Sequence, residues 1–299
     1  MFSLLMKVGL NMAKFITKDS KPGKGIPKDA PEKRRFFVFF EIFIEKFFKL
    51  VELNIIYFIS LLPLIFGVYY SVIINPLMEK ASDILKYPPI IFTPSKLGTI
   101  LLVISVFITG PATAGFTYVI RNMQRREHTW IISDFFSNFK KNYIHGIVMS
   151  TLDIVCYLVL YVALMFYLYI MPVDAPEMGN TIPILGAIFV VSVTLVFTWA
   201  HFYIYTMMVT FKLDFGKLFK NSLIFAIGKL PLNIFITAII ACVAYLLFWT
   251  LSFTSVIAGI IVPVILFSFI GFIIIFSTYP TIDKNMLQKI NKRVLSTRG

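Results

Sequence analysis

Long apolar stretches alternate with short charged ones along this chain. Asp, Glu, Lys and Arg are absent from Leu53 to Met78, Leu97 to Ile120, Ile154 to Val173, Thr181 to Phe211 and Leu230 to Ile282. A helix that crosses the ~30 Å hydrocarbon core of a bilayer needs about 20 apolar residues, so each of the first four stretches predicts one crossing. The last is long enough for two, and Trp249, Ser252, Thr254, Ser255 and Gly259 supply a polar, turn-tolerant interruption near its middle. Crossings are thus predicted over 54–75, 97–119, 144–170, 183–210, 230–252 and 257–279. The expected fold is all-α: a polytopic helical membrane protein with six transmembrane helices, arranged as three in-out-in hairpins with interfacial amphipathic helices.

The segments between crossings carry their own patterns. Residues 1–16 alternate apolar and basic positions, and residues 17–35 hold Pro, Gly and mixed charge without enough apolar content for a core. Residues 1–35 therefore read as a cytoplasmic basic amphipathic segment and linker, 36–282 as the transmembrane domain, and 283–299 as a basic cytoplasmic tail. From Phe36 to Leu53, Glu41, Glu45 and Lys49 recur at helical spacing opposite a Phe-rich face, which predicts an interfacial helix bending into the first crossing. The proline-rich Pro76 to Lys96 segment predicts an ordered or polyproline-like cap on the outer face. Met171 to Thr181 predicts a short solvated turn.

Two elements resemble each other. Asp134, Phe135, Phe136, Phe139, Lys140 and Asn142 precede the third crossing, and Asp214, Phe215, Phe219, Lys220 and Asn221 precede the fifth. A fainter echo, Phe48, Lys49 and Asn54, leads into the first. The inference is a parallel pseudo-repeat of three hairpins whose interfacial helices ring the inner face. On that face Asp134, Phe135, Phe139, Lys140, Asp214, Phe215, Phe219 and Lys220 are candidates for docking a partner.

Composition agrees with the pattern: 58% apolar residues, 14% charged and a mean hydropathy of +0.84 exclude a soluble domain of this size. Charge adds orientation. Of the 28 Lys and Arg residues all but Lys80, Lys86 and Lys96 fall on one side of the predicted topology, which by the positive-inside rule makes that side cytoplasmic and places both termini there. The net charge of +13 then implies attraction to anionic lipid of the inner leaflet, and nucleic acid is not needed to explain it. No cleavable signal peptide is expected, because Met1 to Met12 has too short an apolar core. Cys156 and Cys242 both fall within crossings, are read as small core residues, and imply neither a disulfide nor a metal.

Two constellations inside the membrane stand out. In the second crossing Gly110, Pro111, Ala114 and Gly115 combine a proline kink with small residues that admit a neighbouring backbone, while Thr109 and Thr113 are placed to cover the freed carbonyls. That is a packing notch, or the lining of a substrate path. Asp153 is the single acidic residue within a predicted crossing, at a cost of about 2.5–3.5 kcal/mol on insertion scales. It lies about 13 Å from the cytoplasmic end at about 1.5 Å per residue, and His201 falls at the same depth on the next, antiparallel crossing. Tyr157 and Tyr161 extend the first face, and Tyr205 the second. These five residues form a candidate buried polar network, read as a proton relay, a polar binding site or a structural hydrogen-bond layer.

Enzymatic signatures are absent: the three histidines make no HExxH helix, and neither a GxSxG elbow nor a Walker A loop occurs. No catalytic residue, metal or cofactor is assigned.

At Gly110-Pro-Ala-Thr-Ala114, the basic stretch to Arg126, and Asp134-Phe-Phe to Asn142, the chain resembles the YesL-like family of bacterial, mostly Gram-positive, membrane proteins. Leu53 to Pro63 resembles the family's first span, and a long insertion between Pro63 and Gly110 departs from its pattern. The family has no established activity, and its members are often encoded beside carbohydrate ABC importers. The resemblance therefore implies an accessory or regulatory membrane subunit associated with such an importer, docking importer subunits or a sensor kinase. The buried Asp/His layer points instead to a proton-coupled secondary transporter.

Overall fold

The structure is a computed structural model describing residues 33–71, 96–174, 179–253 and 261–287. Among these it is all-helical, with six helices long and apolar enough to cross a membrane. We number the elements α1 (Arg35–Glu45), α2 (Phe47–Tyr69), α3 (Lys96–Gln124), α4 (Ile131–Lys141), α5 (Tyr143–Met165), α6 (Thr181–Met208), α7 (Phe215–Gly228), α8 (Leu230–Phe253) and α9 (Phe267–Ile282). A π-helical turn, Phe166–Ile170, prolongs α5; another, Val262–Leu266, leads into α9, and a third, Asp283–Leu287, follows it. The chain divides into two units, Met1–Glu41 and Ile42–Gly299, and all six long helices lie in the second. The expectations for the basic N-terminal segment, the proline-rich cap and the tail from 288 onward fall outside the described residues. Of the turn expected over Met171 to Thr181, Met171–Asp174 is instead a helical turn that continues α5, and 175–178 fall outside. Of the expected interruption, Trp249 and Ser252 lie within α8, and Thr254, Ser255 and Gly259 fall outside.

The repeat inferred from sequence has a structural counterpart at a different register. Each short helix, α1, α4 and α7, joins the following long helix through one non-helical residue. These elbows have similar backbone angles: Lys46 (φ −101°, ψ 8°), Asn142 (φ −104°, ψ 19°) and Lys229 (φ −122°, ψ 36°). Around each, the elbow N–H donates to the carbonyl four residues back, and the elbow carbonyl accepts from four residues ahead. The chain thus bends while most of its hydrogen-bond ladder persists, which makes a one-residue bend inexpensive.

Aligned on the elbows, Asn54, Ser150 and Thr237 are equivalent, each eight residues on. All three are polar, and each bonds to the second long helix of the preceding hairpin or the turn leading into it. Ser150 Oγ accepts from Gly110 N of α3 at 2.8 Å, Thr237 Oγ1 accepts from Trp199 Nε1 of α6 at 2.8 Å, and Asn54 closes the cycle on the turn before α9. Helices α3, α6 and α9 also touch one another. The order is a cyclic pseudo-threefold one, three second helices inside and three first helices outside.

This register corrects the sequence-based one. The Phe48 to Asn54 echo lies beyond the elbow, inside α2, so the first long helix starts at Phe47 rather than 54. The expected Glu41, Glu45, Lys49 stripe is broken by the elbow, and Lys49 Nζ turns to Thr129 O at 3.1 Å. Helix α7 is longer than α4, 14 residues against 11, so Asn142 is an elbow residue whereas Asn221 is not.

Burial concentrates where the small residues are. From Gly110 to Met123 α3 is buried almost all round, as are α6 from Phe197 to Met208 and much of α9 from Ser268 to Ile282. The other halves of α3 and α6 leave Ile100, Val103, Ile184 and Phe189 exposed, the apolar surface expected of lipid-facing helices. Cys156 packs against the core, but Cys242 is exposed, contrary to its reading as a core residue.

Asn54 shows how the cycle is locked. Its side-chain N–H groups donate to Pro263 O at 2.7 Å and Val262 O at 3.1 Å, while its Oδ1 accepts from Ser268 N at 2.7 Å. A π-turn carries carbonyls and an N–H that the regular ladder leaves open, and the fully buried amide supplies both donors and an acceptor. Asn54→Asp loses the donors and Asn54→Leu loses everything. Each is expected to destabilise the protein by about 3 kcal/mol or more, from orphaned buried groups at roughly 1–3 kcal/mol each. Thermal unfolding in mild detergent checks this, and a melting point equal to wild type contradicts it.

Candidate functional site

The predicted pair is in contact. Asp153 Oδ1 of α5 and His201 Nε2 of α6 are 2.6 Å apart. His201 Nδ1 lies 2.8 Å from Phe197 O, one turn back on α6. A carbonyl oxygen only accepts, so Nδ1 carries hydrogen. The contact between Nε2 and the carboxyl then holds a single proton, because a bare nitrogen facing a bare carboxylate at that distance repels it. Whether that proton sits on the ring or on the carboxyl, the pair is neutral overall, and this offsets the insertion cost of Asp153.

The pair stands at the wall of a cavity of about 360 Å³ among α2, α3, α5, α6 and α9. That volume lies within the range of small-molecule pockets. Apolar and aromatic side chains such as Phe116, Phe202, Phe267 and Ile274 form most of its wall, with hydroxyls from Thr109, Thr113, Thr117 and Thr206 between them. Tyr205 also lines it. Tyr157 does not: its hydroxyl pairs at 3.1 Å with Thr198 Oγ1, whose residue does line the cavity, and Tyr161, a turn further on, lies outside the lining as well.

Sequence reasoning missed Tyr57. It stands eleven residues beyond its elbow, the position Asp153 holds in the second hairpin and Ile240 in the third. Tyr57 hydroxyl is 2.9 Å from Thr113 Oγ1, on the second helix of its own hairpin, as Asp153 is to His201. Its ring stacks on Phe116 with centroids 4.2 Å apart. Equivalent positions thus supply a neutral hydroxyl pair, an ionisable pair and an apolar contact. The signal was available as Asn54-x-x-Tyr57, Ser150-x-x-Asp153 and Thr237-x-x-Ile240, once the elbows set the register.

Gly110, Pro111, Ala114 and Gly115 form a packing notch, and Gly110 additionally borders the cavity. Gly110 meets Gly146 of α5 backbone to backbone, and Gly115 admits Phe135 of α4. Thr109 and Thr113 donate to Ser105 O and Thr109 O, four residues back in each case. They do not cover Phe107 O, the carbonyl that Pro111 frees.

The proposed docking residues divide. Phe135 is fully buried and so structural, while Phe215 and Phe219 are half-buried and pack one side against the core. Asp134 Oδ2 accepts from Trp130 N at 2.9 Å and closes the start of α4. Phe139 is half-buried, while Lys140, Asp214 and Lys220 are exposed. Lys217 bonds Asp214 at 2.9 Å and holds its carboxyl below the usual carboxylate range. Among the described residues no group of His, Cys, Asp or Glu is arranged to hold a metal ion.

Fold and site together define a polytopic helical membrane protein with a polar pair at the wall of an interhelical cavity. A family model described as "Protein of unknown function, DUF624" matches residues 88–164, from just before α3 to near the end of α5. No curated protein and no solved structure matches the chain. The matched segment contains the Gly110 notch, the basic stretch to Arg126 and Asp153, but not His201.

Proposed function

We propose that this protein is a proton-coupled secondary transporter of a small solute in a bacterial cytoplasmic membrane, with the Asp153–His201 layer as its proton-binding element. The observation that carries this reading is the placement of a one-proton pair at the wall of a cavity large enough for a small molecule. A merely structural pair needs no such cavity. The clustering of Lys and Arg supports an orientation with both termini cytoplasmic, and no catalytic step is assigned.

Proteoliposomes carrying an internal pH-sensitive dye test the reading, with a panel of neutral sugars and sugar alcohols supplied outside. At least one solute is expected to drive proton movement, and Asp153→Asn to abolish it. Proton movement that is absent throughout, or the same in Asp153→Asn, sinks the proposal.

A second reading is an accessory or regulatory subunit of a carbohydrate ABC importer, as the likeness to the YesL-like family suggests. It is favoured by exposed Trp130 (70%), Ile132 (58%) and Phe136 (48%) at the start of α4, a face open to importer subunits or a sensor kinase. Importer subunits that co-purify in mild detergent, and are lost with Trp130→Ala/Phe136→Ala, are its expected result. Purification free of such subunits contradicts it.

A further inference from the structure

The cyclic repeat exposes a difference between two equivalent places at the elbow end of the bundle. In the first hairpin the residue three beyond the elbow is Lys49, and its Nζ reaches across to Thr129 O in the loop between α3 and α4. That hairpin closes the space between elbow and exit loop with its own cation. In the second hairpin the equivalent residue is His145, which makes no hydrogen bond to its exit loop, residues 209–214. There the space is a cavity of about 420 Å³.

Basic groups outnumber acidic ones around that cavity, three side chains able to carry positive charge against the carboxylate of Asp214. Lys141, from the end of α4, and Lys212, from the exit loop, both line it, both are exposed, and neither has an ion-pair partner among the described residues. His145 adds a third group able to carry positive charge. Asp214 also lines the cavity, but its carboxylate is engaged by Lys217 at 2.9 Å. The cavity lies where α5 begins and α6 ends, at the level where apolar spans give way to charged loops. Two lysines lining one cavity at that level suit a phosphate group.

We propose that Lys141, His145 and Lys212 form a binding site for a phosphate group, filling from a ligand the space that Lys49 fills in the first hairpin. The group comes from an anionic phospholipid headgroup or from a water-soluble phosphate ester. The site shares no lining residue with the cavity at Asp153 and His201, and it does not depend on the transport reading.

Two arms distinguish the sources. Purified full-length protein is titrated with glycerol 3-phosphate in detergent, and is separately reconstituted in nanodiscs of mixed phosphatidylglycerol and phosphatidylcholine, with retained lipid counted by native mass spectrometry. Binding in the first arm identifies a soluble ester; selective retention of phosphatidylglycerol identifies a lipid. In whichever arm binds, Lys141→Gln/Lys212→Gln is expected to weaken binding about tenfold or more, as each lysine near a membrane surface contributes about 1 kcal/mol. Lys140→Gln, one residue away and outside the cavity, is expected to leave it unchanged. Asp214→Asn is expected to tighten binding, a gain that misfolding cannot mimic. The proposal is overturned if neither phosphate probe binds in preference to glycerol or phosphatidylcholine, or if the double variant binds like wild type.

Discussion

Gly110→Ala is expected to leave little folded protein to extract from the membrane. A Cβ at Gly110 lands on the Gly146 carbonyl and Ser150 Oγ, and one at Gly146 lands 2.5 Å from Pro111 N and 2.8 Å from Gly110 C. These obstacles are mostly backbone, so neither helix relieves the clash by changing a rotamer. Separating α3 from α5 breaks the Gly110 N to Ser150 Oγ bond and opens the tightest contact in the cycle. The cost is expected at or beyond the top of the roughly 1–3 kcal/mol typical of overpacking. Gly216→Ala in α7 is the control, since nothing lies within 4 Å of its Cβ. It is expected to be neutral or to stabilise by up to about 1 kcal/mol. Detergent extraction yield and melting temperature report both, and equal behaviour of the two variants contradicts the proposed geometry.

The second large effect separates what Asp153 and His201 do for stability from what they do for transport. Asp153→Leu leaves an imidazole without its partner, and His201→Leu leaves a carboxyl without its own. Each is expected to cost about 1–3 kcal/mol, because removing one member of a half-buried pair strands the other. Asp153→Leu/His201→Leu is expected to return most of that loss, with a coupling energy of about 2 kcal/mol or more. Proton-coupled uptake is expected to vanish in all three. A stable double variant that still transports assigns the pair a purely structural role.

Much of the fold was legible because bilayer physics leaves few choices. Stretches free of charge had to be helices, and Asp153 within one of them had to find a partner at its own depth, which narrowed the candidates to His201. Less was legible where one backbone residue decides the geometry. Nothing in Lys46, Asn142 and Lys229 as residue types announces a shared bend, so the motifs were aligned on Phe and Lys, and the equivalence of Tyr57 with Asp153 was hidden. Phe135 misled for a related reason. Its position on an amphipathic surface helix suggested a docking side chain, whereas Gly115 opposite makes room for it in the core. A glycine's partner is a tertiary fact, invisible to local pattern.

The transport proposal rests on water and solutes reaching the layer between Asp153 and His201, and thiol labelling tests that most directly. In a Cys156→Ser/Cys242→Ser background, Thr113→Cys places a thiol on the cavity wall, Ile184→Cys places one on the exposed apolar half of α6, and Glu127→Cys places one in the exposed loop between α3 and α4. In nanodiscs, which leave both faces of the bilayer open to a small, charged, membrane-impermeant methanethiosulfonate reagent, positions 113 and 127 are expected to react and position 184 to stay unmodified. Reaction at 127 with none at 113 contradicts a solvent-accessible site, and the transport proposal with it.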